Sequence, residues 1–389
     1  APTYKALARK QHEKWVELPA LRGRILDRNG NVLVSNTNFV SIGADPEFVG
    51  AQADKLAQAC SQAFGRPADY YRSKLQNSAP RFAWLERRIR PETAAKLKRS
   101  GIKGITEVPE PKRLYHYGAV AGPLLGFTDI DNNGIAGIEL QYDDQLRGIS
   151  GSIIMQRDAH QNMWPSADYP RIEAVNGNDL VLTIDLTYQA VLEDELGKAV
   201  ESNKAEGGLA ILVEPHTGEI LALAGSPSVN PNTMGSIQLA WARSRVVTDM
   251  FEPGSLFKIV TASAAYEYEL ISPQRSFNAE HGKYVVYQNG RRIQDVTDTH
   301  EHDALTFQEG IEQSSNIVMA KAAEIIGSER LYRQARDFGF GIPTGIEFPG
   351  EIRGRLKKPQ QWSGTSLRTI AYGYEVAATP LQIVMAYAA

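Results

Sequence analysis

The sequence contains almost no cysteine and no long apolar run. Cys60 is the only cysteine among 389 residues, so an internal disulfide is impossible and no group of thiolates can hold a metal. We expect Cys60 to be a small buried hydrophobic residue. The longest apolar stretch, residues 207–225, is interrupted by two glutamates and a histidine, whereas a membrane-spanning helix needs about 20 apolar residues. The sequence therefore predicts neither a disulfide framework nor a membrane span.

Charge of one sign is not in excess either. The chain has 42 lysines and arginines against 45 aspartates and glutamates, which gives a formal net charge of -3. Such a chain has no basic field to attract a polyanion, so its composition argues against nucleic acid as the main partner. Hydrophobic residues at 42% and charged residues at 22% are ordinary globular values. For 389 residues we expect two or three domains.

The first part of the chain reads as short elements separated by turns. Asn29-Gly30 is a strong hairpin signal within the strand-like residues 24–34. We interpret the arginine-rich residues 81–90 as the solvated face of a helix. Residues 158–178 are polar with few periodic apolar positions, so we place a linker there. Two stretches show helical spacing, residues 51–64 and 91–99.

Beyond the linker the pattern indicates a sheet with many helices. Residues 179–184 read as a strand, and the apolar residues 209–213 and 220–224 flank a polar turn, which predicts an antiparallel hairpin. Helical spacing recurs in residues 186–202, 257–270, 305–311, 316–326 and 329–338. We therefore expect a multidomain α/β (α+β) protein.

A candidate nucleophile is Ser255, within Phe251-Glu-Pro-Gly-Ser-Leu-Phe-Lys258. The Pro-Gly pair predicts a turn into an apolar helix, with Ser255 in its first turn and Lys258 three residues later on the same face. We expect the two side chains to be in contact. A serine hydroxyl needs an adjacent base, and a lysine serves only if its surroundings keep it neutral. Ser100-Gly-Ile-Lys103 has the same spacing but ends a charged helix, so we assign it no role.

A second candidate is Ser314-Ser-Asn316, at the junction between two predicted helices. There it would present a hydroxyl and an amide to a cleft. Ser228-Val-Asn230 and Ser276-Phe-Asn278 match the same pattern but lie in polar loops. Order and position along the chain therefore select Ser314 and Asn316.

These residues resemble the first two motifs, Ser-x-x-Lys and Ser-x-Asn, of the penicillin-binding protein and serine β-lactamase superfamily. Arg22-Gly-Arg-Ile-Leu-Asp-Arg-Asn-Gly30 resembles the pedestal motif of class B penicillin-binding proteins. Further segments resemble the same class: Arg113-Leu-Tyr-His-Tyr117, Gly126-Phe127, Gly137-Ile-Glu139, Leu146-Arg-Gly148, Val213-Glu-Pro-His-Thr-Gly-Glu-Ile220, Ala371-Tyr-Gly-Tyr374 and Thr379-Pro-Leu-Gln382. The resemblance runs over nearly the whole chain.

The resemblance implies an extended N-terminal pedestal over residues 1–168 and a penicillin-binding transpeptidase domain over residues 169–389, with an antiparallel sheet between helices. It implies a serine D,D-transpeptidase of the division type, which cross-links peptidoglycan stem peptides at the septum. Ser255 would attack the penultimate D-Ala carbonyl and form an acyl-enzyme, with Lys258 as the base. Ser314 would relay a proton toward the leaving amine, and Asn316 would hold the substrate amide.

The resemblance also implies partners and a location. Stem peptides are the expected substrates, β-lactams the expected inhibitors, and a membrane-embedded glycan polymerase and other cell-wall synthesis proteins the expected partners. No cofactor, metal or nucleic acid is expected; we interpret His300-Glu-His-Asp303 as a solvated turn. The protein would act on the extracytoplasmic face of the bacterial inner membrane, held by an N-terminal anchor outside this sequence.

One motif of the family is missing. Lys-Thr-Gly or Lys-Ser-Gly occurs nowhere in the chain. The resemblance places it after the helix that contains Tyr387, so we expect the sequence to stop short of it, and the activity of these residues alone is left open. Two other classes are also open: a β-lactamase or carboxypeptidase, which would turn over bound penicillin, and a non-catalytic scaffold of the cell-wall machinery. The long pedestal favours the transpeptidase over a compact hydrolase.

Overall fold

The computed structural model describes residues 13–78, 82–157, 163–165, 171–233 and 239–389. The chain divides into two compact units. The N-terminal unit comprises Ala1–Ala119, Gly126–Leu182 and Asn230–Ser236, and the C-terminal unit comprises Val120–Leu125, Thr183–Val229 and Ile237–Ala389. The predicted boundary between residues 168 and 169 lies outside the described residues, as do residues 158–162 and 166–170 of the predicted linker.

The N-terminal unit is built from small sheets and short helices. One sheet has the strand order Leu180–Val181, Ile25–Leu26, Val32–Thr37, Lys112–Tyr115. A second has the order Ala83–Ile89, Val40–Ala44, Ile105–Pro109, and a third has Glu13–Leu18, Gly151–Arg157, Met163–Pro165. Phe127–Thr128 pairs with Gly134–Ala136. The helices are Pro46–Val49, Ala53–Phe64, Ala68–Gln76, Pro91–Lys98, Gly137–Gln141 and Asp143–Arg147, with a 3-10 turn at Gly50–Gln52.

The hairpin predicted at Asn29-Gly30 is confirmed. The buried Asp27 carboxylate accepts the backbone N–H groups of Asn29 and Asn31, and Gly30 has the left-handed φ of +84° that the turn requires. The strand predicted over residues 179–184 is shorter, Leu180–Val181, and it pairs in parallel with Ile25–Leu26 of the N-terminal unit.

The interpretation of residues 81–90 as a helix face is wrong. Residues Ala83–Ile89 form a strand, and Arg81 lies outside the described residues. Ala83 and Leu85 are 1% and 0% exposed and join a core formed with the helices Ala53–Phe64 and Ala68–Gln76. Buried Ala83 and Leu85 alternate with half-buried Trp84 and Glu86, which is the period of two that a strand shows.

A buried cluster of charges ties together three distant segments of this unit. Arg22 and Arg113 are 4% and 3% exposed, and both donate to the Glu139 carboxylate, at 2.6 and 2.8 Å. Arg22 also donates to Asp143 at 2.6 Å. Glu139 is fully buried, so each charge depends on its partners in place of water.

The C-terminal unit is mainly helical and contains short antiparallel strand pairs. The pairs are Gly208–Val213 with Ile220–Ser226, Ser276–Asn278 with Ala304–Thr306, and Lys283–Gln288 with Arg291–Thr297. The helices are Gly122–Leu125, Leu186–Ser202, Leu239–Ala242, Arg245–Thr248, Lys258–Glu267, Phe307–Glu312, Asn316–Ile326, Ser328–Asp337, Ser366–Ala371 and Pro380–Ala388. Single 3-10 turns lie at Gly254–Phe257, Glu280–Gly282 and Pro359–Gln361.

The predicted hairpin and its neighbouring helix are confirmed. Gly208–Val213 and Ile220–Ser226 pair antiparallel, and helix Leu186–Ser202 packs on both strands. The Asp185 carboxylate accepts the N–H groups of Thr187 and Tyr188, which fixes the start of that helix. No helix within the described ranges is long and apolar enough to cross a membrane.

The helix that begins at Lys258 lies at the centre of the C-terminal core. Its buried residues pack with those of Asn316–Ile326 and Ser328–Asp337, and Phe257 stacks edge-on against Phe340 at 4.9 Å between ring centroids. The core therefore fixes both segments that carry the predicted site residues.

Candidate active site

The candidate nucleophile lies in a tight turn that leads into a helix. Gly254 has a φ of +56°, and a 3-10 turn, Gly254–Phe257, precedes the α-helix Lys258–Glu267. Ser255 therefore lies in the 3-10 turn and not, as the sequence predicted, in the first turn of the α-helix. In a 3-10 turn residues three apart eclipse one another, so Ser255 and Lys258 still share a face. Ser255 is exposed, whereas Lys258 is only 4% exposed.

Three polar groups from two segments form a chain of hydrogen bonds. The Ser314 hydroxyl donates to the Ser255 hydroxyl at 3.0 Å, and the Lys258 ammonium donates to the Ser314 hydroxyl at 3.0 Å. Lys258 also donates to the backbone carbonyl of Ser314. Within the described residues, both hydrogen bonds of the Lys258 ammonium go to Ser314, so the direct Lys258–Ser255 contact expected from the sequence is replaced by a bridge through Ser314.

The bridging serine is held in an unusual backbone conformation. Ser314 has a φ of +54°, a region that costs a non-glycine residue about 1 kcal/mol or more. It sits between helices Phe307–Glu312 and Asn316–Ile326, as the sequence predicted. Its N–H donates to Ile311, and the N–H of Ser315 donates to Gly310. These bonds hold Ser314 in the position that lets its hydroxyl reach Ser255.

The lysine has an environment that favours its neutral form. Burial lowers the pKa of Lys258 from its usual 10.5 to about 8, and the negative charge of Asp298 opposes part of that shift. Near neutral pH a fraction of the protein therefore carries a neutral amine at Lys258, which can accept a proton.

Asp298 is a residue of this site that the sequence did not indicate. Its carboxylate accepts the Ser315 hydroxyl at 2.6 Å and the backbone N–H groups of Asn316 and Ile317 at 2.6 and 3.1 Å. A carboxylate at a helix N-terminus satisfies N–H groups that have no partner within the helix. Asp298 directly follows strand Arg291–Thr297, so the hairpin that ends there positions the second motif.

The amide of Asn316 is also held by this hairpin. Its Nδ2 donates to the carbonyl of Thr297 at 2.8 Å. This bond fixes the orientation of the amide, so that its nitrogen faces the Thr297 carbonyl and its oxygen points away from that carbonyl. The structure thus joins Ser255, Lys258 and Ser314 by hydrogen bonds, and places Asn316 two residues after Ser314 at the start of helix Asn316–Ile326.

A second segment supports the turn that carries Ser255. The N–H of Gly254 donates to the carbonyl of Gly373 at 3.0 Å, and the N–H of Glu375 donates to the Glu252 carboxylate at 3.0 Å. Gly373 must be glycine, because its φ is +92° and a Cβ would lie 1.9 Å from the carbonyl oxygen of Gly254. Residues 371–378 are therefore a backing strip for the nucleophile turn.

No metal site accompanies these groups in the described part of the chain. Histidine, cysteine, aspartate and glutamate nowhere form a group of three or more there that could hold an ion. Asp303, from the histidine-rich turn, pairs with His281 at 2.7 Å on the exposed surface. The groups that the structure places around Ser255 and Ser314 include hydroxyls, the Lys258 amine, the Asn316 amide and the Asp298 carboxylate.

Family models match almost the entire chain. Residues 17–182 match the penicillin-binding protein dimerisation domain, and residues 208–389 match the penicillin-binding protein transpeptidase domain. The chain belongs to the class B penicillin-binding proteins. The resemblance stated from the sequence is thereby confirmed, as is the mixed α/β fold with an N-terminal dimerisation domain.

Named relatives and a solved structure agree with this membership. "Probable peptidoglycan D,D-transpeptidase PenA" of Neisseria meningitidis is 34% identical over 96% of this chain and 63% of that protein. "Peptidoglycan D,D-transpeptidase FtsI" of Escherichia coli is 33% identical over 94% of this chain and 62% of that protein. The crystal structure of a peptidoglycan synthetase from Bifidobacterium adolescentis superposes with a TM-score of 0.72 at 26% identity, over 97% of this chain and 72% of that one. The chain thus spans less than two thirds of the length of the PenA and FtsI relatives.

Proposed function

We propose that the protein is a serine D,D-transpeptidase that cross-links peptidoglycan stem peptides through an acyl-enzyme on Ser255. The observation that carries the proposal is the chain of hydrogen bonds from Lys258 through Ser314 to Ser255. It couples the Ser255 hydroxyl to an amine whose pKa is lowered to about 8 by burial. Relatives named peptidoglycan D,D-transpeptidases support the same reaction.

In the proposed reaction Ser255 Oγ attacks the penultimate D-Ala carbonyl of a stem peptide. The hydroxyl proton of Ser255 passes to Ser314, and the proton of Ser314 passes to the neutral Lys258 amine. The same chain run in reverse delivers a proton to the leaving nitrogen, so terminal D-Ala departs and an ester remains on Ser255. An amine of a second stem then attacks this ester, forms the new peptide bond and restores the Ser255 hydroxyl.

Two further groups are assigned to substrate binding. The Nδ2 of Asn316 is engaged with Thr297, so we assign its amide oxygen to accept an N–H of the substrate backbone. The backbone N–H of Ser255 would be one donor of the oxyanion hole, an interaction whose loss typically costs about 3 kcal/mol in the transition state.

We propose the same two domains that the sequence indicated. Residues 1–168 would form the pedestal and residues 169–389 the transpeptidase domain, a division supported by the two separate family matches. The pedestal motifs and the similarity to FtsI support a role in septal synthesis, with a glycan polymerase and other cell-wall proteins as partners. The location proposed is the extracytoplasmic face of the inner membrane.

Labelling with a fluorescent penicillin tests the proposed function. β-Lactams resemble the D-Ala-D-Ala terminus, so we expect one covalent adduct per molecule of the whole encoded protein, and none with Ser255→Ala. Ser100→Ala is the matched control, because Ser100 has the same spacing to a lysine, and it should label normally. A full adduct on Ser255→Ala, or rapid release of hydrolysed penicillin, would contradict the transpeptidase assignment.

A further inference from the structure

Residues 353–358, Arg-Gly-Arg-Leu-Lys-Lys, form a strongly basic segment on the C-terminal unit, which we call the basic stripe. It carries four cations and no acidic residue, although the whole chain has a net charge of -3. Six extended residues span no more than about 20 Å. The stripe therefore concentrates positive charge in a short length of chain, whereas the chain as a whole is weakly negative.

The fold directs these cations outward. All four are exposed, whereas the two intervening residues, Gly354 and Leu356, are half-buried. Gly354 has a φ of +67°, and a Cβ there would lie 2.5 Å from the carbonyl oxygen of Ala377, so no side chain fits on the inward side. Leu356 packs against the core that contains Phe257 and Phe340. The segment is thus fixed by its inward positions and presents its charges to solvent.

The cations of the stripe have no acidic partner. Within the described residues, the side chains of Arg353, Arg355, Lys357 and Lys358 make no ion pair or hydrogen bond. The nearest carboxylate along the chain, that of Glu351, is occupied by the N–H and hydroxyl of Thr344, each at 2.6 Å. Arg87 of the N-terminal unit, which also has an arginine as its neighbour in the chain, is by contrast paired with Glu110. Unpaired cations of this kind are available to an anionic ligand.

The stripe lies close to the nucleophile turn. Arg355 and Ala377 exchange two backbone hydrogen bonds, at 2.6 and 2.9 Å, and Ala378 and Phe251 exchange two more, each at 3.0 Å. The stripe, the backing strip and the chain that leads to Ser255 are therefore three neighbouring extended segments. Neighbouring strands lie about 4.8 Å apart, so about 10 Å separates the backbone of the stripe from that of Phe251.

We infer that the basic stripe is an accessory binding site for uncross-linked peptidoglycan strands, and this inference rests on the proposed function. Each uncross-linked stem peptide ends in a carboxylate, and successive stems make a strand a linear polyanion. A short linear row of unpaired cations matches such a chain better than it matches a flat membrane surface. While one stem reacts at Ser255, carboxylates of neighbouring stems bind the stripe and keep the strand at the site.

Co-sedimentation with purified peptidoglycan sacculi tests the inference on the whole encoded protein. The triple variant Arg353→Ala, Arg355→Ala, Lys357→Ala should bind about 10-fold more weakly, because it loses three exposed charge contacts, and its binding should depend less on salt. The matched control is Lys96→Ala, Arg99→Ala, Lys103→Ala, which removes three exposed cations of the N-terminal unit and changes the net charge equally. It should bind like the parent, and a double Arg→Lys exchange at 353 and 355 should retain binding.

Two further measurements separate the possible outcomes. Sacculi whose carboxylates have been amidated should bind the parent protein as weakly as unmodified sacculi bind the stripe variant. Binding to vesicles of phosphatidylglycerol is measured for the parent and the stripe variant as well. The inference is overturned if the stripe and control variants lose sacculus binding equally or if amidation has no effect. It is also overturned if the stripe variant loses binding to the vesicles but not to the sacculi. Penicillin labelling of Ser255 is measured on the same samples. If the stripe variant labels normally and binds sacculi as the parent does, the inference about the stripe is refuted and the proposed function is not. If the parent protein does not label, the proposed function is refuted.

Discussion

The hydroxyl of Ser314 donates to the hydroxyl of Ser255 across 3.0 Å, although 59 residues separate the two serines in the chain. Because Lys258 donates to the same Ser314 hydroxyl, the Ser314 side chain connects the nucleophile to the Lys258 amine. Any change at Ser314 should therefore affect proton transfer to and from Ser255 without altering the nucleophile itself.

The first prediction concerns the dependence of acylation on pH. Lys258 must be neutral to accept a proton, and its pKa is about 8. The rate of penicillin acylation should therefore rise about tenfold per pH unit below pH 8 and level off above it. Lys258→Arg should abolish this rise and acylate far more slowly, because arginine does not release its proton. Stopped-flow labelling between pH 6 and pH 9.5 measures both effects.

Lys198→Arg is the control for that experiment. Lys198 is exposed and pairs with Asp194 and Glu195 on its own helix, so the exchange should leave the rate and its pH profile unchanged. If Lys258→Arg acylates at the parent rate with the parent profile, the base lies elsewhere.

The second prediction separates the hydroxyl of Ser314 from its backbone strain. Ser314→Ala and Ser314→Gly both remove the bridging hydroxyl, so both should slow acylation strongly, by roughly 100-fold or more for a lost proton-transfer group. Only glycine suits the φ of +54°, so the glycine variant should be more stable than the alanine variant. The expected difference in the free energy of unfolding is about 0.5–1 kcal/mol. Equal stabilities of the two variants would mean that the positive φ is not strained.

The third prediction concerns Asp298 as a positioning residue. Its negative charge raises the pKa of Lys258 against the larger lowering by burial, so Asp298→Asn should move the midpoint of the acylation pH profile to lower pH. The variant should also lose about 1–2 kcal/mol of stability, because a neutral amide is a weaker acceptor for the N–H groups of Asn316 and Ile317. A purely structural role would lower stability but leave the midpoint where it is.

Asp295→Asn is the matched control for Asp298→Asn. Asp295 lies three residues earlier, on the strand that Asp298 follows, and pairs only with Arg292 among the ion pairs described. Its removal should shift neither the midpoint nor the stability to a comparable degree. If both variants shift the pH profile equally, the effect is general electrostatics and not the position of Asp298.

The four site residues could be selected from the sequence because each follows a local rule. Ser255 and Lys258 are three apart after a Pro-Gly turn and so share a face, and Ser314 and Asn316 lie two residues apart where a helix begins. What the sequence could not show is how the pairs meet. The placement of Ser314 between Lys258 and Ser255 depends on packing between two helices of the core, and this contact has no local signature.

Two features were missed for different reasons. The hairpin Lys283–Gln288 with Arg291–Thr297 does carry a signal, Asn289-Gly290, which is as strong as the Asn29-Gly30 turn that was recognised. Had that hairpin been predicted, Asp298 at its end would have been a candidate to cap a helix. The strand Ala83–Ile89 was misread because of the arginines in and around it, and the burial of Ala83 and Leu85 became evident only in the fold.

The last prediction concerns the buried charge cluster of the N-terminal unit. Glu139 is fully buried between Arg22 and Arg113, so Glu139→Ala would leave two buried guanidinium groups without their shared partner. Breaking a buried ion pair in this way costs about 3–5 kcal/mol. The exposed pair Arg24 and Asp179 provides the control, because Asp179→Ala removes a carboxylate that water can replace, and its effect should be far smaller.

Hydrogen exchange measured by mass spectrometry locates the effect of Glu139→Ala. Strands Val32–Thr37 and Lys112–Tyr115 pair with each other, and Lys112–Tyr115 carries Arg113, so their amides should lose protection first. The amides of helix Leu186–Ser202, in the C-terminal unit, should change much less. If Glu139→Ala lowers stability no more than Asp179→Ala does, the cluster is not a stabilising element.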